Sequence, residues 1–211
     1  MNGKSKPGKN KPGKNKPGKS KPGKSKPVKN KSGKRKIIWI TRTAVFTALL
    51  IAMQTATAPM GNIIITGAVV NLLLIVSVMT CGLACGLSVA TVSPVMAKFL
   101  GIGPFWSIIP FLIAGNMTLV LLWYFVGNRN MGNKYTAYIA ALISAAVAKF
   151  LVLYIGIVRI AIPIFLSLPE QQAAVVSNMF SIRQLVTAIA GGLTATALLP
   201  TLKKAIRERR E

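Results

Sequence analysis

From residue 37 onward the chain is apolar in long, nearly unbroken stretches, and its polar positions follow neither a helical nor a strand period. A helix or strand half-buried in a soluble domain shows apolar side chains on one face only. Here AALISAAVAKFLVLYIGIV is apolar almost all round, which suits a helix surrounded by lipid. Such runs approach the roughly 20 residues that cross a bilayer. Their interruptions predict six spans, at about 38–56, 63–80, 82–100, 106–126, 135–158 and 176–199. The breaks are TAPMGN (57–62), GIGPFW (101–106) and the polar GNRNMGNK (127–134), followed later by a stretch to residue 175 that holds Pro163 and Pro169 and is expected to be irregular. Pro94 is expected to kink the third span. The predicted fold is an all-α integral membrane protein, a six-helix domain over residues 37–205.

Residues 1–36 are of another kind. The unit KPGKN recurs with small changes, placing Pro at 7, 12, 17, 22 and 27. Pro and Gly in each unit oppose a helix, and the density of Lys favours an extended, solvated chain. The segment is expected to be disordered. It is too long and too basic for a signal peptide. Its expected partner is a surface of anionic lipid headgroups, with each Lys near the surface contributing about 1 kcal/mol. No specific nucleic-acid site is expected.

Charge then fixes an orientation. The chain has 27 Lys and Arg against 3 acidic residues, a net charge of +24. The tail holds 15 of those cations, and residues 206–211 form a basic C-terminal end. Short loops rich in Lys and Arg stay in the cytoplasm. The tail, the loop with Arg129 and Lys134, and the C-terminus all fall on one side when the span count is six. TAPMGN, GIGPFW and the 160–175 segment fall outside. The expected location is the plasma membrane, multi-pass, with both termini cytoplasmic.

Lys149 and Arg183 are the costly residues. Each lies in an apolar stretch, and between residues 37 and 200 the only acid is Glu170, in a loop-like segment. A cation within a span costs several kcal/mol unless compensated, and usually marks a functional site. At about 1.5 Å per residue, Arg183 lies roughly 10 Å and Lys149 roughly 15 Å below the outer surface. Asn71, Asn116, Asn178 and Gln184 are also in outer halves, and Arg159 is at an outer end. The inner halves are almost wholly apolar. This predicts an outward-opening pocket lined by Asn71, Asn116, Lys149, Arg159, Asn178, Arg183 and Gln184, with a preference for an anionic ligand.

Several classes are disfavoured. There is no phosphate-binding G-x-x-x-x-G-K-[ST], no H-E-x-x-H, no His and no Asp. Acid–base and metal chemistry lack residues, so no enzyme activity, no metal and no bound cofactor are expected. Cys81 and Cys85 are read as small packing residues.

Ala44, Ala48 and Ala52 recur every fourth residue in TAVFTALLIAMQTA, a stripe where another helix can approach closely. With six spans, the TAPMGN loop, VNLLLIVSVMTCGL, SPVMAKFLGIGP and the late MFSIRQLVTAIAGG, residues 38–205 resemble the substrate-binding S component of an energy-coupling factor (ECF) transporter. The resemblance implies an S-component-like bundle that captures a vitamin or precursor from outside. It implies a lid around residues 57–66. It implies docking of the alanine stripe on a membrane coupling subunit, with ATP used by two separate ATPase subunits. Signatures of the thiamine, riboflavin and biotin members are not evident. The rival readings are a stand-alone secondary transporter, which predicts polar residues in the inner halves, and a scaffold whose polybasic tail binds lipid or RNA.

Overall fold

A computed structural model describes residues 1–3, 31–103 and 105–208. Two units emerge, Met1–Lys31 and Ser32–Glu211. Nearly all of the first, with the Lys-Pro-Gly repeats, lies outside the described residues, as do the last three residues of the C-terminal end. The described part of the second is helical, with no strand.

Seven α-helices follow in order: α1 (Lys31–Thr57), α2 (Ile63–Cys81), α3 (Leu83–Phe99), α4 (Ile109–Gly127), α5 (Lys134–Leu153), α6 (Glu170–Met179) and α7 (Ile182–Glu208). α1 starts earlier than the tail boundary at residue 36. The last proline of the repeats is Pro27, so nothing after it breaks a helix until Pro59. Short 3₁₀ turns at Ala58–Met60 and Trp106–Ile108 mark two of the expected loops. Asn62 caps α2 through its side-chain oxygen, accepting from the amides of Ile64 and Ile65 at 3.1 and 3.3 Å. Gly61, at φ +66°, makes the left-handed turn just before it.

The stretch expected to be irregular is mostly helical. α5 runs directly into a π-helical segment, Tyr154–Leu166, in which Pro163 lies. Pro163 has no N–H to donate in any helix, and the wider π turn accommodates its ring. Pro169 stands at the N-cap of α6. The last span is also longer than expected and is broken in two at Phe180–Ser181. α3 stays helical through Pro94.

Five stretches are long and apolar enough to cross a membrane: Lys36–Met60, Ile63–Cys81, Trp106–Gly127, Lys134–Leu166 and Glu170–Glu208. α3 is shorter, at 17 residues; this is about 25 Å, against a hydrocarbon core of about 30 Å. The lipid-facing pattern is plain on α5. Ile139, Ile143, Val147 and Leu151 are exposed, while Tyr138, Ala141, Leu142, Ala145 and Ala146 on the other face are buried.

Packing is closest between α4 and α5 and between α2 and α7; α5 also meets α7, and α3 meets α2 and α4. Small residues permit the close approaches. A Cβ on Gly191 would stand 2.5 Å from the Ala68 carbonyl oxygen, so α7 touches α2 backbone to backbone there. The main core joins Leu74, Ile75, Val78, Val89, Leu119, Val120, Trp123 and Leu142. A second cluster gathers around Ile108, Leu153, Ile157, Val176 and Phe180. α1 lies at the periphery, with Leu50 and Thr57 its only fully covered side chains among the described residues.

Candidate functional site

The buried face of α5 is built from alanines at 137, 141, 145 and 146, which let α4 and α7 come close. One turn further on, the same face carries Lys149, 3% exposed. Its Nζ donates to Asn71 Oδ1 on α2 at 2.5 Å and to Asn116 Oδ1 on α4 at 2.8 Å. Asn71 Nδ2 in turn donates to Thr187 Oγ1 on α7 at 3.4 Å. The Thr187 hydroxyl donates to the Gln184 carbonyl at 2.9 Å. Three helices thus meet at one ammonium group, and the Asn71 amide adds α7 to the network.

No carboxylate stands in this network. Two amide oxygens supply partial negative charge to the cation, and their position fixes its direction. An ammonium carries three donors. Two go to the asparagines, and no third acceptor is found among the described residues. When protonated, the side chain sets a positive charge against a low-dielectric surround, where an incoming anion is attracted strongly.

Lys149, Asn71 and Asn116 form one wall of a cavity of about 290 Å³. Its sides are apolar, with Val70, Pro94, Ala97, Ile109 and Leu112. Gln54 of α1 and Ser93 of α3 also line it. It is also lined by Ala58, Gly61, Asn62 and Ile63, by Ile102 with Gly103, and by Met179, Phe180 and Gln184 at the α6–α7 break. The first two groups lie in or beside loops that charge placement assigns to the outer side. By rise per residue, Asn71 is about 12 Å and Asn116 about 10 Å along their helices from that end.

Of the residues singled out in the sequence, Asn71, Asn116 and Lys149 meet, and Gln184 joins them on the cavity lining. Arg159, Asn178 and Arg183 are exposed and do not line it. For Arg183 the reason is the break at Phe180–Ser181, which places it in the first turn of α7, not deep within a continuous span. Arg159 projects from the π segment that extends α5, and Asn178 from α6. Lys98 lies at the same end and donates to the Gly103 carbonyl at 3.2 Å. Gln54, Ser93 and Thr187 were not expected. Their side chains are uncharged, and in an apolar run they look like ordinary helix residues.

Ala44, Ala48 and Ala52 are exposed on α1. Cys81 and Cys85 are free thiols, Cys85 buried in the main core. Among the described residues, no group of His, Cys, Asp or Glu is placed to hold a metal. A second, smaller hollow of about 170 Å³ lies between Ile38, Trp39, Arg42 and Cys81 at the other end of α1. Comparison with known families, with curated proteins and with solved structures gives no match to this chain.

Proposed function

We propose that this chain is the substrate-capture subunit of an ECF-type importer, taking up a small anionic micronutrient, a vitamin or its precursor, in the Lys149 cavity. The observation that carries the reading is a buried lysine, bonded to two amide oxygens and to no carboxylate among the described residues, at the wall of a largely apolar cavity near one end of a helical bundle. A ligand carboxylate or phosphate supplies the charge that the chain lacks. In this reading the chain crosses the plasma membrane six times, with α3 the shortest crossing, and both termini are cytoplasmic. The loop at 57–66 covers the cavity mouth. The exposed Ala44, Ala48 and Ala52 offer a smooth helix face to a membrane coupling subunit, and two ATPase subunits drive release inward. The repeat tail lies on anionic headgroups.

The test is to purify the full chain in detergent and identify the small molecules carried with it by mass spectrometry. An anion is expected, its amount falling sharply in Lys149→Ala and staying unchanged in Arg183→Ala, which alters an exposed residue outside the cavity. A retained cation, or equal retention by Lys149→Ala, refutes the reading. Co-purification with a coupling subunit and ATPases tests the transport half separately.

A further inference from the structure

Two side-chain oxygens of the described residues are buried without a hydrogen-bond partner, Gln54 Oε1 and Ser93 Oγ, and both residues line the Lys149 cavity. Ser93 is 1% exposed. The other hydroxyls nearby show the default. Thr80, Thr91 and Thr118 each donate to the carbonyl one turn earlier, at 2.7, 2.9 and 2.8 Å. Such back-bonding is the ordinary way for a span to satisfy a hydroxyl. Ser93 makes no such bond. A buried polar atom left unpaired is costly, and two of them on residues of one cavity lining call for a partner that arrives with the ligand.

We infer that the cavity reads its ligand at a second point: Gln54 and Ser93 bind a neutral N–H or O–H donor of the same molecule whose anionic group meets Lys149. The inference rests on the capture reading above and narrows it. Gln54 Oε1 only accepts, so the ligand group facing it must donate. The Ser93 hydroxyl accepts from or donates to the same group. Gln54 is on α1 and Ser93 on α3, whereas Lys149 is on α5, which packs chiefly on α4 and α7. The two recognition points therefore come from different helices, and the apolar side chains of Val70, Ala97, Ile109 and Leu112 line the same cavity. Among the described residues, Lys149 is the one cation on the lining, and no acid is there. A monoanion with an apolar middle and an amide, cyclic urea, lactam or hydroxyl at its other end fits. A dianion leaves one charge unmatched, and a cation finds no partner.

The probes are dicarboxylic acid monoamides, from succinamate to sebacamate, each beside its N,N-dimethylamide and the methyl ester of its acid. Binding to the detergent-solubilised full chain is measured by equilibrium dialysis. At the best chain length the primary amide is expected to bind about tenfold more tightly than the dimethylamide, the scale of one buried hydrogen bond. Ser93→Ala and Gln54→Leu are expected to shrink that preference. Ser93→Ala removes an oxygen that bonds nothing in the protein, so its melting temperature is expected to match the parent. Lys149→Ala is expected to weaken both acids together. Binding of acids with no preference for the amide, or a preference that survives both substitutions, overturns this inference and leaves anion capture standing. Binding of no acid at any length, or equal binding of acid and ester, overturns the capture reading and this inference with it.

Discussion

Lys149→Met separates a ligand-binding lysine from a structural strut. Met fills much the same volume and removes the charge. Opposite a ligand carboxylate at about 4 Å, the attraction is about 4 kcal/mol at the effective dielectric typical of protein sites. Part of that is offset by stripping water from the anion. A net loss of about 3 kcal/mol, or roughly a hundredfold in affinity, is the expected result. Stability responds differently. The substitution relieves a buried cation but orphans Asn71 Oδ1 and Asn116 Oδ1, each at about 1–3 kcal/mol, so the two effects largely cancel. Asn71→Leu is the contrasting change. It keeps the cation and removes one of its two acceptors and the donor to Thr187, and is expected to cost about 3 kcal/mol of stability. The assays are thermal unfolding of the detergent-solubilised protein and mass-spectrometric quantification of the anion it retains. Should Lys149→Met unfold as readily as Asn71→Leu while keeping its ligand, the lysine is a strut, and the reasoning fails.

Three further changes probe the frame around the site. Gly191→Leu places a side chain against the Ala68 carbonyl and the α2 backbone, so α2 and α7 must part; a loss of about 3 kcal/mol, seen as a lower melting temperature, is expected. Ala48→Trp alters an exposed position and is expected to leave melting unchanged while abolishing co-purification of a coupling subunit. Tyr138→Phe deletes the hydroxyl that accepts from Lys203 Nζ at 3.1 Å. It is expected to cost about 1 kcal/mol, because the ammonium, 5.4 Å from the ring centroid, retains its contact with the aromatic face.

The helices were legible because lipid imposes a simple rule: every side chain in a span is apolar unless something needs it otherwise. The same rule made Lys149, Asn71 and Asn116 visible as exceptions. Their meeting was not visible. The rotation of a helix about its axis is set by packing, here by Ala141, Ala145 and Gly191, and one sequence of nearly uniform apolarity leaves that rotation open. Arg183 looked buried within a span because that span was assumed to run straight; two residues, Phe180 and Ser181, break it and put Arg183 in the first turn of α7. The stretch from the end of the fifth span to residue 175 was expected to be irregular because it holds Pro163 and Pro169, yet the π turn through Leu166 and then α6 offer an ordered path. Gln54 and Ser93 gave no signal, since an uncharged polar residue in a span is usually satisfied by its own helix. Only the absence of a bond in the folded chain distinguishes Ser93 from Thr91.

The choice of two asparagines, not a carboxylate, around Lys149 bears on what the site does. A glutamate at position 71 or 116 would neutralise the ammonium at close range. An incoming anion would then meet no net charge and would have to displace a strong internal partner to bind. Amide oxygens solvate the cation in part and aim it, but leave its charge in place. In the proposed reading the protein keeps a standing cost in its empty state, and an arriving anion would relieve it. A structural cross-link has no reason to be built this way, because a fully paired or wholly apolar substitute would hold the helices with less penalty. The same logic covers Ser93, whose unpaired oxygen is a burden to the fold and an asset only to a site that is filled and emptied.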